Sequence, residues 1–166
     1  DISTNEELKE KTLRLDSYQR KVLDLAIKFA KDVVKARKPG NSYPKAPLVM
    51  VHGGAGSGKS NTINTIAEWQ QKIAQQAGDN PDQPYVIKTS FTGCAASNIS
   101  GMTLHGAFSF SFGDKHYSLT DKSKDKKQHA FQNLFSAIID EISFVKADML
   151  YMLCLRLQEI TGRIGV

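Results

Sequence analysis

The sequence predicts an α/β fold in which a parallel sheet is flanked by helices. Three observations carry that prediction. Short apolar runs alternate with longer segments of helical periodicity, the pattern of strand–helix–strand units. The run "LVMVH" (48–52) is continuously apolar, as expected of a strand covered on both faces. It leads directly into "GGAGSGKS" (53–60), a glycine-studded turn with a helical pattern behind it.

The elements follow in order. Residues 1–12, "DISTNEELKEKT", are polar and charged and are expected to form a tail ahead of one domain spanning 13–166. From Asp16 onward, Val22, Leu25, Ala26, Phe29, Ala30 and Val33 recur at helical spacing. Asp16 or Ser17 can cap that helix, and "KPG" (38–40) stops it. "NSYPKAP" (41–47) is a loop before the apolar run at 48–52. "KSNTINTIAEWQQKIAQQ" (59–76) reads as a helix, and "AGDNPDQP" (77–84) as a turn-rich connector. "YVIKTSF" (85–91) is a second strand. Residues 92–113 mix loop and short helix. The charged stretch "DKHYSLTDKSKDKKQ" (114–128) is expected to be a mobile surface insertion. "LFSAIIDE" (134–141) is a third strand, and "KADMLYMLCLRLQEITG" (146–162) a final amphipathic helix with Gly162 just past its end. No internal repeat is present.

Composition bounds the function. With 166 residues, 40% of them hydrophobic, the chain can remove about two-thirds of its surface from water. A net charge of +5 suits a polyanionic partner such as nucleic acid, and equally an ordinary excess of lysine. Two cysteines, Cys94 and Cys154, make no disulfide framework and read as reduced thiols in a reducing compartment. No run of about 18 apolar residues spans a membrane, and the N-terminus has no apolar signal core. The missing initiator Met and the abrupt end at "EITGRIGV" suggest an excised piece.

Gly53, Gly58, Lys59 and Ser60 fit the pattern G-x-x-x-x-G-K-[ST]. With glycine at about 7% of residues, such a coincidence is rare in a chain this short. The whole loop and its exit, Gly53, Gly54, Ala55, Gly56, Ser57, Gly58, Lys59, Ser60 and Asn61, is therefore the candidate nucleotide-phosphate site. Its glycines admit positive φ and let the backbone approach phosphate oxygens. Loop amides and the following helix start point at those oxygens. Lys59 supplies a positive charge for the terminal phosphates, and the Ser60 hydroxyl is a hard ligand suited to Mg²⁺.

The complementary feature is an acid at the end of a buried strand. "SAIIDEIS" provides Asp140 and Glu141 after Ala137, Ile138 and Ile139, at the carboxyl end where α/β sheets bind ligands. Asp140 is the candidate Mg²⁺ carboxylate, acting through water. Glu141 is the candidate base that orients and deprotonates an attacking water. That pairing favours hydrolysis over transfer of the phosphoryl group to a small metabolite.

The segment "TSFTGCAASNISGMTLHGAF" (89–108) indicates what the energy is spent on. Thr92, Gly93, Ala95, Ala96, Ile99, Gly101, Thr103, Leu104 and His105 match the block Thr-Gly-x-Ala-Ala-x-x-Ile-x-Gly-x-Thr-[Leu/Ile]-His. Together with "GGAGSGKS" and "IIDEIS", this resembles the PIF (petite integration frequency) DNA helicases of superfamily 1. Rolling-circle eukaryotic transposons carry a version of the same enzyme. The resemblance covers residues 13 to 162. It implies a P-loop NTPase fold, the N-terminal RecA-like motor lobe, using ATP and Mg²⁺ to move 5′→3′ along single-stranded DNA. It implies DNA contact by Thr92 and Gly93, with His105 and Phe108 as supports near the track. It also implies an intracellular enzyme of repair, recombination or telomere maintenance, nuclear or mitochondrial in a eukaryote. Gln19, in "LDSYQRKVLD" (15–24), stands where such helicases read the adenine edge; an amide can donate and accept at once.

Alternatives and departures stay open at this level. His105 can be a packed structural histidine, and Phe108, Phe110 and Phe112 either a stacking platform or core. Lys122 to Lys127 can be a solvated face or a DNA patch. Ser90 and Phe91 replace a common Ala-Pro, Ser57 a common Thr, and Phe144 a common Met. The family's next block, Gly-Asp-x-x-Gln-Leu-Pro-Pro, and a second RecA-like lobe with its arginine are absent. The 166 residues are therefore expected to bind nucleotide, hydrolyse it poorly and unwind nothing alone. A nucleotide kinase or a non-motor ATPase switch are the competing readings. A kinase needs a lid with arginines, and residues 113–128 contain none.

Overall fold

A computed structural model describes residues 3–111 and 117–162. The chain divides into two compact units, Asp1–Val86 and Ile87–Val166, with the boundary inside the stretch read above as one domain.

The first unit is helical. Helix α1 spans Asn5–Leu13, within what the sequence suggests is a tail. The reason lies in its caps and one apolar contact. Thr4 accepts from the Glu7 amide while Glu7 accepts from the Thr4 amide, a reciprocal capping box. Leu8 is only 1% exposed. The helix is tied to α3 (Lys59–Gln76) by the Lys11–Glu68 ion pair at 2.7 Å and by a 2.9 Å bond from Trp69 Nε1 to Thr12 Oγ1. Helix α2, Ser17–Ala36, is capped by Asp16 as expected and buries Leu23, Ala30 and Val33. It packs on α3, where fully buried Gln70 donates to the Ala26 carbonyl at 3.0 Å. The Arg37–Asp79 pair and Tyr85 close the far end, with the Tyr85 hydroxyl donating to the Asn80 carbonyl at 2.8 Å.

The strand expected at 48–52 is not formed. Residues 41–54 belong to no regular element, and Leu48, Val49, Met50 and Val51 are all exposed. A strand needs neighbours for its amides and carbonyls. The three strands among the described residues come from later in the chain and pair with one another.

The second unit holds these strands in the order β2-β1-β3, where β1 is Val86–Ser90, β2 Met102–Thr103 and β3 Ser136–Asp140. Strands β1 and β2 are parallel, Thr89 opposite Met102 and Ser90 opposite Thr103. On the other side, Thr89 Oγ1 donates to the Ile138 carbonyl and Ser90 Oγ to that of Asp140. These contacts advance together, as they do between strands running the same way. The α/β class with a parallel sheet and flanking helices is thus the architecture found. Short helices α4 (Gly93–Asn98) and α5 (Leu104–Phe108) follow β1 and β2. Helix α6 (Asp121–Phe131) packs on α7 (Ala147–Thr161). The core gathers Ile87, Leu104, Ala107, Phe108, Val145, Leu153 and Ile160.

Helix α6 corrects the expected mobile insertion at 114–128. Thr120 caps it by accepting from the Ser123 amide. Lys127 anchors it by donating to the Ala107 carbonyl, with its ammonium 5.4 Å from the Phe131 ring centre. Burial, then Lys126 and Arg156, hold that ammonium's pKa below the usual lysine range. Residues 114–116 of the insertion lie outside the described residues.

Candidate functional site

The phosphate loop is built around two left-handed glycines. Gly56 has φ 74° and Gly58 φ 75°, values that L side chains avoid. Gly58 is also the N-cap of α3 and brings no side chain to it. The first amides of α3 have no intrahelical acceptor, so they remain available to an anion at the positive end of the helix. Lys59 turns back over the loop, and its Nζ donates to the Gly53 and Gly54 carbonyls at 2.8 Å each. Ser57 donates its amide to the Gly54 carbonyl at 3.3 Å, and Thr62 locks Gly58 through its amide and its hydroxyl, both 3.0 Å. Gly53 faces Ser57 so closely that an added Cβ would stand 2.7 Å from Ser57 Oγ. Gly54, Ala55, Gly56, Ser60 and Asn61 are exposed. Uncapped amides, a lysine ammonium and a serine hydroxyl are a donor set that fits a polyphosphate carrying a hard divalent cation.

Gln19 is bound to this loop. Its Oε1 accepts from the Asp16 amide at 3.0 Å, closing the capping box of α2, and its Nε2 donates to the Ser57 carbonyl at 2.8 Å. The sequence reading missed that second engagement. Half of its signal was in view, since Asp16-Ser-Tyr-Gln19 is a capping-box pattern. The other half, a partner 38 residues away, has no local signature.

In the second unit, Asp140 ends β3 and Glu141 follows in the left-handed region, φ 53° and ψ 47°. Asp140 Oδ1 accepts from the Glu141 amide at 3.0 Å. A non-glycine residue held there costs on the order of 1–2 kcal/mol, and such strain collects at functional positions. Glu141 is exposed and Asp140 half-buried. Among the described residues, no group of three or more His, Cys, Asp or Glu side chains forms a metal cage.

Thr92 is exposed and caps α4, accepting from the Ala95 amide at 3.2 Å. Gly93 is exposed with open space where a Cβ would stand. His105 is half-buried, edge-on to Phe91 (centroids 5.9 Å apart) and to Phe110 (6.2 Å). Phe108 is fully buried, so it belongs to the core and cannot be a stacking platform. Phe110 is half-buried, and Phe112 lies outside the described residues. Cys94 and Cys154 are free and exposed. No helix among the described residues is long and apolar enough to cross a membrane.

An AAA domain profile matches residues 36–164. The ATP-dependent DNA helicase PIF1 of Emericella nidulans is 31% identical over 108 residues, which is 63% of this chain and 14% of that protein. The ATP-dependent DNA helicase PIF1 of Saccharomyces cerevisiae is 30% identical over 102 residues, 59% of this chain and 11% of that protein. The chain thus spans about a seventh or less of the length of these curated relatives. No solved structure matches it significantly.

Proposed function

The chain belongs to the AAA domain family, in its PIF1-like superfamily 1 helicase branch, and from that premise we propose that it is the ATP-binding part of a DNA-translocating motor. The observation that supports this most directly is the phosphate loop. Two left-handed glycines, an uncapped helix start and an inward-turned lysine are together at one place in the chain. In this reading ATP displaces the loop carbonyls from Lys59, whose ammonium moves onto the terminal phosphates. Ser60, and Asp140 through water, would hold Mg²⁺, which would supply charge neutralisation to the phosphates. Glu141 holds the attacking water and takes its proton. Gln19 has one Nε2 hydrogen and one Oε1 lone pair beyond its two observed bonds, enough to read an adenine edge. Thr92 and Gly93 contact the phosphates of single-stranded DNA, with His105 as a packed support behind them. The rest of the proposed cycle needs a second RecA-like lobe, 5′→3′ movement being what the resemblance implies. Work in repair, recombination or telomere maintenance, in the nucleus or mitochondrion of a eukaryote, follows from the same resemblance.

The test is a pair of titrations on residues 1–166. Isothermal titration with Mg-ATP is expected to show binding that Lys59→Ala weakens at least about tenfold. Charge-assisted hydrogen bonds contribute roughly 1.5–3 kcal/mol, and about 1.4 kcal/mol is a factor of ten. Glu141→Gln leaves the ATP affinity within about a factor of two, because its role begins after binding. Anisotropy with a labelled oligo-dT at stated salt is expected to weaken with Thr92→Ala. Equal ATP affinity in wild type and Lys59→Ala would remove the basis of the proposal.

A further inference from the structure

We propose that Gln19 is a positioning residue for the phosphate loop itself, in addition to any base it reads; this rests on the loop being a phosphate site. Each end of its amide already holds one partner. Oε1 is held by the Asp16 amide at 3.0 Å, within a box in which Asp16 Oδ1 accepts from Tyr18 and Gln19 amides at 2.8 and 2.9 Å. The side chain is therefore fixed from behind by the first turn of α2. Its Nε2 then reaches the Ser57 carbonyl at 2.8 Å.

That bond fixes the orientation of one peptide plane. In a trans peptide the carbonyl and the next N–H point in opposite directions. With the Ser57 carbonyl held on Gln19, the Gly58 N–H points away from α2. A free peptide in a glycine-rich loop could flip, because glycine accepts both signs of φ. Gly58 sits under the amide so tightly that an added Cβ would lie 2.8 Å from Gln19 Nε2. The glycine thus serves two ends at once, its own φ of 75° and the approach of Gln19. Ser57 and Gly58 lie immediately before Lys59, so an orientation set at this peptide is passed to the start of α3 and to the amides that meet phosphate. Preorganising donors before the ligand arrives raises affinity by removing the cost of ordering them.

The consequence is measurable with a ligand that has no base. Tripolyphosphate and ATP are titrated against the wild-type chain and against Gln19→Glu, Gln19→Asn and Asp16→Ala. Glutamate can keep the capping-box acceptor but sets an oxygen against the Ser57 carbonyl. Asparagine keeps the amide but is one methylene too short to hold both partners. Both are expected to weaken tripolyphosphate roughly tenfold and ATP at least as much, with melting temperatures recorded alongside. Asp16→Ala keeps the backbone amide that holds Gln19 Oε1 but loosens the cap behind it, so its tripolyphosphate affinity falls less than in either Gln19 variant. If the two Gln19 variants lose ATP affinity alone while tripolyphosphate binds as before, Gln19 is a base reader only and the inference is overturned. If the wild-type chain binds no tripolyphosphate and no ATP, the underlying phosphate-site reading fails and takes the inference with it. Because two differently built Gln19 variants are used, a folding defect in one leaves the other to decide.

Discussion

Gly101 lies against the backbone of Lys88, so close that a Cβ added to it would collide with the Lys88 carbonyl oxygen and stand 2.9 Å from the carbonyl carbon. This contact lets the segment after α4 return beside β1 and start β2, with the Gly101 amide held by the Ala96 carbonyl at 2.8 Å. Backbone atoms cannot step aside as a flexible side chain can. Gly101→Ala is therefore expected to destabilise the second unit by about 1–3 kcal/mol, the usual cost of overpacking. Urea denaturation followed by far-UV circular dichroism measures it, and an unchanged midpoint would show that the two backbones do not approach this way.

Arg156 is 2% exposed, and its charge is met by three groups. Nη1 donates to Glu159 at 2.6 Å, Nη2 to the Tyr117 carbonyl at 2.8 Å, and the guanidinium lies 5.7 Å from the Phe110 ring centre. Glu159 in turn accepts from the Leu119 amide at 2.8 Å. The network ties residues 117–119 to α7. Removing the arginine leaves a largely buried carboxylate without its counter-charge, and Arg156→Ala should cost about 3–5 kcal/mol. Replacing both members, Arg156→Met with Glu159→Leu, should cost clearly less, since no uncompensated charge remains. Equal losses in the single and double variants, read from denaturation midpoints, would contradict this.

What the sequence made legible was what depends on neighbours in the chain. The phosphate loop is of that kind: its pattern names the glycines, and Gly56 and Gly58 are the ones found at positive φ. The cap at Asp16 and the end of the last helix at Gly162 are of that kind too. The apolar run at 48–52 is not, because its composition says only that it suits burial, while a strand exists only where another strand receives it. Helix α6 is not legible in the sequence because its residues are charged and the carbonyl that anchors it, that of Ala107, lies 20 residues from Lys127. Phe108 and Phe110 alternate in sequence like a platform, yet one is in the core and the other against Arg156. The period of two says nothing of which face is filled.

Helix α1 is a structural part of the first unit, and Leu8 is the residue that decides it. Truncating a leucine 1% exposed typically costs about 2–5 kcal/mol. The chain has one tryptophan, Trp69, whose indole N–H is held by Thr12 of α1. Its fluorescence therefore reports whether α1 is docked. Leu8→Ala is expected to lower the urea midpoint and to red-shift the Trp69 emission at lower denaturant than in wild type. A tail would give neither effect.

The last expectation concerns alkaline pH. Tyr85 is fully buried, and burial, reinforced by the charge of Asp79 and opposed by Arg37, raises its phenol pKa above the ordinary value of 10.0. The folded state thus holds this proton more tightly than the unfolded chain does. By linkage, the stability it contributes is fully present below about pH 10 and is lost as the pH rises through the folded-state value. Lysines titrate in the same range, so the useful quantity is the difference between wild type and Tyr85→Phe. At pH 7 the variant should be less stable by about 1 kcal/mol, the usual net contribution of one hydrogen bond, here the one to the Asn80 carbonyl. Above pH 10 the gap should narrow and can reverse, because phenylalanine has no proton to lose. A gap that is constant from pH 7 to pH 11 would mean that Tyr85 ionises equally easily folded and unfolded.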